Sequence, residues 1–576
     1  MSETQPVRPK GRRRLVAACT AGILSLGAFA LGTGAQAAEP GAHPSAKRPT
    51  ASSGQLPHLV APKTARIKRS TLSSRVAKVA TAAPQRYDID GDGVTDQLER
   101  DGAGNWFNSL ADQDEPLGAG SEKFVDTLTP GDLDGSTGPE VLATTSTGAL
   151  EMFTPGNFPN YASWTGTGWN VYNKLVAVDD VTGDGRADII ARTFDGQLYL
   201  YEGTGNGSAP FKPRVLIGGG WGAYDQLTSP GDVDGDGISD LVARDSSGTL
   251  YLYKGTGDAT RPYAAKVTVG SGWNAYNQII GFGNEPDGLA VLWARSTSGT
   301  IYAYRPDGSG LFAPRITGGT GWQTLDLIAG MGGNPSWGKK ELLGETSNGT
   351  IYWYGANNAG GFGPREALSE DGGWEGDFDL TFADALTNTG EPDFLDRWEG
   401  DLYNVFDGYT RISGGWSSYN LLIGPGDLSG DGKGDLLGRD TSGNLYLFRG
   451  TGTGLGLAGR QLIGGGWGAY NAIVGSGDFS GDGRADIVAR AGDGTLYLYK
   501  GTGNASAPFA AKVKIGTGWS QYTQLASPGD MDGDGRSDLL AVNSAGTAYR
   551  YSGYGTGQFR ARATVGGGWN TYKKLF

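Results

Sequence analysis

The sequence repeats itself, and that repetition limits the folds open to it. Gly-Trp pairs place Trp at 169, 221, 273, 322, 374, 416, 467, 519 and 569, at steps of 42 to 52 residues. A second marker runs in phase with the first. Asp88, Asp132, Asp180, Asp232, Asp427, Asp478 and Asp530 each open an acidic loop, and degenerate versions near Gly283, Gly332 and Asp384 carry the period across the gap. The result is ten modules of about 50 residues, beginning near Tyr87. A unit of this size cannot bury its own apolar face, so it must stack on its neighbours.

One module shows the plan. Tyr224 to Ser229 is a strand-like run ending at Pro230-Gly231, and the acidic loop Asp232–Asp240 follows. Leu241 to Arg244 is a short apolar strand, Asp245 to Gly248 a turn, and Thr249 to Tyr253 alternates as a half-buried strand does. Lys266 to Val269 supplies a fourth strand before Gly272-Trp273. Four short strands per repeat without a helical pattern predict an all-β fold of β-propeller blades. Ten modules predict one large ring or two five-bladed rings, since three blades left over from a seven-bladed ring could not close. Module 1 lacks the strand before its acidic loop, having only Gln85-Arg86-Tyr87 there, and the chain ends on Trp569 to Phe576. That terminal segment is expected to complete the first blade and remove an open sheet edge. Deleting 569–576 is then expected to open the ring.

Composition excludes whole classes of chemistry. The 101 glycines show no every-third-residue pattern, so the chain is not collagen-like, and 15 Trp, 26 Tyr and 19 Phe are too many for a disordered one. His43, His58 and Cys19 all precede Tyr87. The repeats therefore hold no Ser-His-Asp triad, no Cys-His nucleophile and no His- or Cys-ligated zinc or iron. A hard, oxygen-liganded cation and carboxylate-only chemistry stay open.

The first 86 residues read as an address and a tether. Arg12-Arg13-Arg14 precede an apolar run from Leu15 to Ala35, and Ala35-Gln36-Ala37 is a small-x-small cleavage signature. Residues 1–37 are read as a secretory signal, which predicts a secreted chain, free or wall-associated, that is not inserted in a membrane after cleavage. Cleavage removes Cys19, so no disulfide can form. Residues 38–86 are rich in Ala, Pro and Ser and carry nine basic residues and one acid, Glu39, as a disordered spacer or a contact for anionic wall polymers would. The chain beyond Arg86 holds 34 basic and 59 acidic residues, a net of −25. Such a body repels nucleic acid and anionic lipid.

The acidic loops are the clearest chemical motif. Asp88, Asp90, Asp92 and Asp96 stand at positions 1, 3, 5 and 9 of the first; Asp232, Asp234, Asp236 and Asp240 of the fourth; Asp530, Asp532, Asp534 and Asp538 of the last. Looser copies replace the third position: Asp180, Thr182, Asp184, Asp188; Asp427, Ser429, Asp431, Asp435; Asp478, Ser480, Asp482, Asp486. Oxygens at these positions can wrap one cation, and Gly at position 6 allows the sharp turn that aims them inward. Calcium, tolerant of irregular oxygen geometry, suits them better than magnesium. An EF-hand needs Glu at position 12, which is Ala191, Ala243, Gly438, Ala489 and Ala541 in five copies and Glu99 only in the first. The loop at Asp132 lacks the central acid and ends on Glu140, which leaves its site in doubt, and modules 5, 6 and 7 have lost the loop and are expected to hold no metal.

The nine-residue Asp-x-Asp-x-Asp-Gly-x-x-Asp loop in repeats of this length resembles FG-GAP/VCBS-type repeats, the blade unit of integrin α-subunit propellers, over residues 87–576. The resemblance implies Ca2+ in a strand-to-strand loop, held by the Asp residues just named, as a structural ion. The Gly-Trp-x-x-Tyr and Gly-x-Leu-Tyr elements also resemble tachylectin-type propeller lectins.

Two readings of the Gly-Trp pairs stay open. They pack between blades, or some stand on a rim and stack on sugar with nearby Tyr: Trp221 with Tyr224, Trp273 with Tyr276, Trp467 with Tyr470, Trp519 with Tyr522. Several shallow sites of that kind would act by avidity. For function the sequence favours a non-catalytic module that binds a cell-wall or extracellular glycan, or a surface or secreted protein. A structural, adhesive scaffold comes next. A carboxylate-only glycosidase or lyase comes last, since its nearest candidates are Asp393, Asp396 and Glu399.

Overall fold

The computed structural model describes Ile89 and residues 96–576, apart from short segments at 102–105, 109–114, 119–123, 137, 146–147, 285–289, 333–337, 377–378, 387–391, 407 and 554–557. The expected signal and basic segment, and Asp88, Asp90 and Asp92, lie outside the described residues. The chain forms ten four-stranded antiparallel sheets, the blades that the period predicts. In blade 4 the strands are Tyr224–Gly231, Asp240–Asp245, Leu250–Tyr253 and Val267–Gly270, paired in that order. Leu250 and Leu252 are fully buried while Tyr251 and Tyr253 between them are half-buried, as alternation along a strand requires.

Two strands are out of chain order. Leu325–Ile328 pairs with Leu98–Asp101 and completes blade 1. Tyr572–Leu575 pairs with Glu341–Thr346 and completes blade 6. The expectation that the C-terminal strand completes the first blade is therefore corrected. The edge place beside Leu98–Asp101 is taken by Leu325–Ile328, and the corresponding place beside Glu341–Thr346 is taken by the C-terminal strand.

The apolar clusters give the same division. Blade 1 packs on blade 2 through Leu98, Trp106 and Leu327 against Phe124 and Val141. Blade 5 packs on blade 1 through Ile280, Val291 and Ile301 against Trp322, Leu325 and Ile328. Blade 10 packs on blade 6 through Met531, Leu540 and Val542 against Leu342, Tyr572 and Leu575. Blade 6 packs on blade 7 through Leu343, Ile351 and Phe576 against Leu380 and Phe394. The remaining neighbours are joined likewise, so five sheets run back to their start in each half. These are two five-bladed rings. Each buried Leu, Ile or Phe contributes about 1.5–3 kcal/mol, so the blade interfaces hold the rings together.

The rings stack end on end. In the blades that keep both markers, the acidic loop leaves one end of the innermost strand and the Trp turn enters the other. Asn173 and Asn277, just past the Trp turns of the first ring, donate to the carbonyls of Asp482 (3.3 Å) and Asp532 (2.6 Å) in acidic loops of the second. Asp225 meets Arg536 at 3.1 Å, and Arg484 lies over the Phe194 ring at 5.1 Å. The Trp end of the first ring thus rests on the acidic-loop end of the second. The approach depends on Gly483: a Cβ there would stand 2.8 Å from that of Asn173, and its φ of +83° is one that side chains rarely adopt.

Candidate metal centre and inter-ring cavity

Each acidic loop joins the first and second strands of its blade, and its carboxylates serve the loop itself. Asp180 accepts from the backbone N–H of Gly183 (2.6 Å) and Gly185 (2.7 Å), and Asp232, Asp427 and Asp530 repeat the pair. The ninth residue reaches back across the loop. Asp240 accepts from Val233 N–H at 2.9 Å and from Gly255 N–H at 2.8 Å, and Asp188, Asp435 and Asp486 have the same two partners. In the first loop Asp96 accepts from Ile89 N–H at 2.5 Å and from Asn108 Nδ2. At position 5, Asp184, Asp236, Asp431 and Asp482 each accept from the N–H two residues on.

Among the described residues, carboxylate oxygens of three residues converge to within 4.8 Å of one another in four loops: Asp132, Asp134 and Glu140; Asp232, Asp234 and Asp240; Asp478, Asp482 and Asp486; Asp530, Asp532 and Asp538. The chemistry of this donor set suits a hard divalent cation. Two loops fit particularly well. Glu140 is fully buried, Leu133 N–H satisfies its Oε2 at 2.6 Å, and its Oε1 has no hydrogen bond. Ser480, at position 3 of its loop, is buried with its Oγ unpartnered beside Asp478, Asp482 and Asp486. Each is a polar atom that a bound ion would satisfy. The loop at Asp132, doubtful by its missing central acid, is thus among the better formed, because the longer Glu140 side chain reaches into it.

Burial weighs on these acids. It raises Glu140, Asp188, Asp240, Asp435 and Asp478 each to about 7, with neighbouring loop carboxylates adding to the rise. Burial lifts Asp486 and Asp538 well above the usual carboxylate range. Like charges this close favour a proton or a metal between them.

The eight aromatic residues of the sugar-stacking reading are not on a rim. Trp221, Trp273, Trp467 and Trp519 are 6–8% exposed, and Tyr224, Tyr276, Tyr470 and Tyr522 are 2–9% exposed. Trp221 packs against Tyr253 with ring centres 4.8 Å apart, and the Tyr224 and Tyr253 hydroxyls share a hydrogen bond. The sugar-stacking reading is corrected to the packing one. Each Trp begins a one-turn helix such as Trp221–Ala223, entered from Gly220 at φ 87°, and that left-handed entry turns the indole back between two blades. Asp393 and Asp396 are equally committed. Asp393 accepts from Leu386 N–H (2.6 Å) and Asn404 (2.7 Å), Asp396 accepts from Tyr409, and Glu399 is an exposed turn residue.

The sequence reading missed a ladder of arginines. Arg244 is buried, donates to the carbonyls of Trp273 (3.0 Å) and Tyr276 (2.6 Å) of the next module, and pairs with Asp225 at 2.9 Å. Arg192, Arg295, Arg439 and Arg490 bond to the corresponding carbonyls of their own next modules. The Arg recurring near the end of the apolar second strand in most modules, though not in those of Glu140–Thr145, Glu341–Thr346 and Asp538–Asn543, was the available signal.

Between the rings lies a cavity of about 520 Å³. Thr144, Thr145, Asn170 and Asn173 of the first ring line it, with Val171 and Phe194 beside them. The glycine-rich backbone of Gly426, Gly430, Gly432 and Gly434 forms the facing wall. Thr144 Oγ1 is buried there without a hydrogen-bond partner. Asp126, Lys174, Asp195 and Arg484 add charge of both signs.

No curated protein matches this sequence. Among solved structures, it is similar to an Agrocybe aegerita lectin described as recognising non-reducing terminal N-acetylglucosamine (16% identity over 77% of this chain and 90% of that one, TM-score 0.21). It is also similar to the BP39L lectin from Burkholderia pseudomallei (12% identity, 69% and 99%, TM-score 0.22). Likenesses this distant carry no argument about what the chain binds. The match in sequence falls on the acidic loops and the strands they join: residues 180–243, 427–489 and 478–541 match the family model of the FG-GAP-like repeat.

Proposed function

We propose that this protein is a secreted, non-catalytic binding module, stabilised by calcium, whose ligand is a cell-wall or extracellular glycan. The observation that carries this reading is the cavity between the rings. Amides and hydroxyls stand there beside an aliphatic and an aromatic side chain and charged groups of both signs, opposite bare glycine backbone. A sugar ring, with polar edges and apolar faces, matches such a lining. Calcium would be held by the convergent loop carboxylates, with Glu140 and Ser480 completing two of the sets. When bound it offsets their mutual repulsion and fixes the turn. The absence of His and Cys beyond Arg86 and the engagement of Asp393 and Asp396 within the fold support a non-catalytic role. Secretion rests on the signal-like first 37 residues.

The test is cosedimentation with purified cell wall, with and without calcium and with soluble sugars as competitors. Val171 is 46% exposed and lines the cavity, so Val171→Trp narrows it without touching a blade core. Sugar-competed binding that falls at least about tenfold in this variant is the expected result, the loss of about 1.4 kcal/mol of contact. Binding unaltered by Val171→Trp would remove the cavity from the reading. No binding by the parent protein would remove the glycan, and capture of a protein partner from culture supernatant would then favour the alternative.

A further inference from the structure

The last acidic loop, Asp530–Asp538, has Asp at all four ligand positions, yet its own blade sends a cation into it. The third strands of blades 3, 4, 8 and 9 carry Leu200, Leu252, Leu447 and Leu498 at one register position, all fully buried. At that position blade 10 has Arg550, paired with Leu540 as Leu252 is with Val242. Arg550 Nη1 stands 2.6 Å from Asp532 and 3.8 Å from Asp538. The guanidinium is covered by the backbone of blade 6. A Cβ at Gly360 would collide with it, and Gly360 N–H bonds to Met531 O at 3.0 Å. A second arginine of the loop, Arg536, pairs with Asp534 at 3.4 Å and with Asp225 of the first ring at 3.1 Å.

We infer that Arg550 occupies the cation position of this loop, so that Asp530–Asp538 is a metal-independent joint between the rings while the convergent loops at Asp132 and Asp478 take a divalent ion; in the loop at Asp232, Lys254 stands 2.8 Å from Asp234. A guanidinium and a divalent cation cannot share one small carboxylate cage, because like charges at such separations repel strongly in a buried site. The ligand oxygens are still in place. Asp532 Oδ1 and Asp538 Oδ1 are buried without hydrogen-bond partners, so removing the guanidinium leaves a cage a metal can fill. Arg536 is then free to bind Asp225, and the contact at which this loop meets the first ring does not depend on calcium. The inference rests on the calcium reading of the other loops, and the experiment separates the two.

The experiment counts calcium bound per chain by equilibrium dialysis and elemental analysis. Asp482→Asn, in the loop with the unpartnered Ser480, is expected to lower the count by one and so reports on the calcium reading alone. Asp532→Asn is expected to leave the count unchanged. Arg550→Leu, the residue found at the matching position of four other blades, is expected to raise it by one, and Arg550→Lys to leave it as it is. A loss of one ion in Asp532→Asn overturns the inference, as does an unchanged count in folded Arg550→Leu. If Arg550→Leu fails to fold, Asp532→Asn still decides. If the parent binds no calcium the reading of the other loops fails, and gain of an ion by Arg550→Leu remains the test of this one.

Discussion

At the scale of single residues, two side chains recur because they act between modules. The Trp closes the gap between blades, and the Arg at the end of the second strand ties two carbonyls of the following module. A buried guanidinium with two carbonyl acceptors and a carboxylate partner is costly to remove, since the partners stay buried without it. Arg244→Met is expected to lower unfolding stability by about 2–4 kcal/mol. Chemical denaturation measures it, and a change below about 0.5 kcal/mol, the scale of an ordinary surface substitution, would show that the ladder does not hold the blades. The Arg recurs in most modules, but its partners are backbone atoms in another module, and backbone acceptors leave no mark in a sequence pattern.

At the scale of elements, the informative strands are the two that pair out of order. Removing Tyr572–Phe576 leaves Glu341–Thr346 with an unpaired edge and uncovers Leu342 and Leu343. It leaves the pairing of Leu325–Ile328 with Leu98–Asp101 untouched. Hydrogen exchange of the truncated protein is expected to show Glu341–Thr346 deprotected and Leu98–Asp101 still protected. Deprotection of both to the same degree would contradict two separately closed rings. The acidic loops are elements of a second kind, where sequence marks the positions but not their use. Position 5 looks like a ligand position in every good copy, yet among the described loops only Asp482 joins a convergent set there, while Asp184, Asp236 and Asp431 do not.

At the scale of the whole molecule, charge and proton binding decide the conditions under which the rings hold. Glu140, Asp188, Asp240 and Asp435 are each raised to about 7 by burial, from ordinary values of 4.5 for the Glu and 3.8 for the Asp. Between pH 4 and 7 the folded chain therefore holds more protons than the unfolded one, and stability falls as pH rises through that window. In chelator, the Tm is expected to be higher at pH 5 than at pH 8. Calcium replaces the lost protons, so it is expected to raise the Tm more at pH 8 than at pH 5. Thermal melts at the two pH values, with and without calcium, check both signs, and an equal calcium effect at the two would count against metal in these loops. Asp240→Asn, which cannot ionise, is expected to flatten the difference.

The sequence by itself determined the unit. Module length, four strands per module, the loops with acids at positions 1, 3, 5 and 9, and the exclusion of His and Cys chemistry all follow from local pattern, because strand alternation and turn residues act over a few residues. Tertiary structure decided how the units close and what faces what. Five blades to a ring depends on the angle at which neighbouring sheets pack, summed around a circle, and no single module encodes that sum. Strand partners hundreds of residues apart, the stacking of one ring on the other, the cavity between them and the intrusion of Arg550 among the acids all follow from that closure. The Trp was ambiguous for the same reason: its place in the repeat is local, but whether its ring meets a neighbour or water depends on the blade beside it.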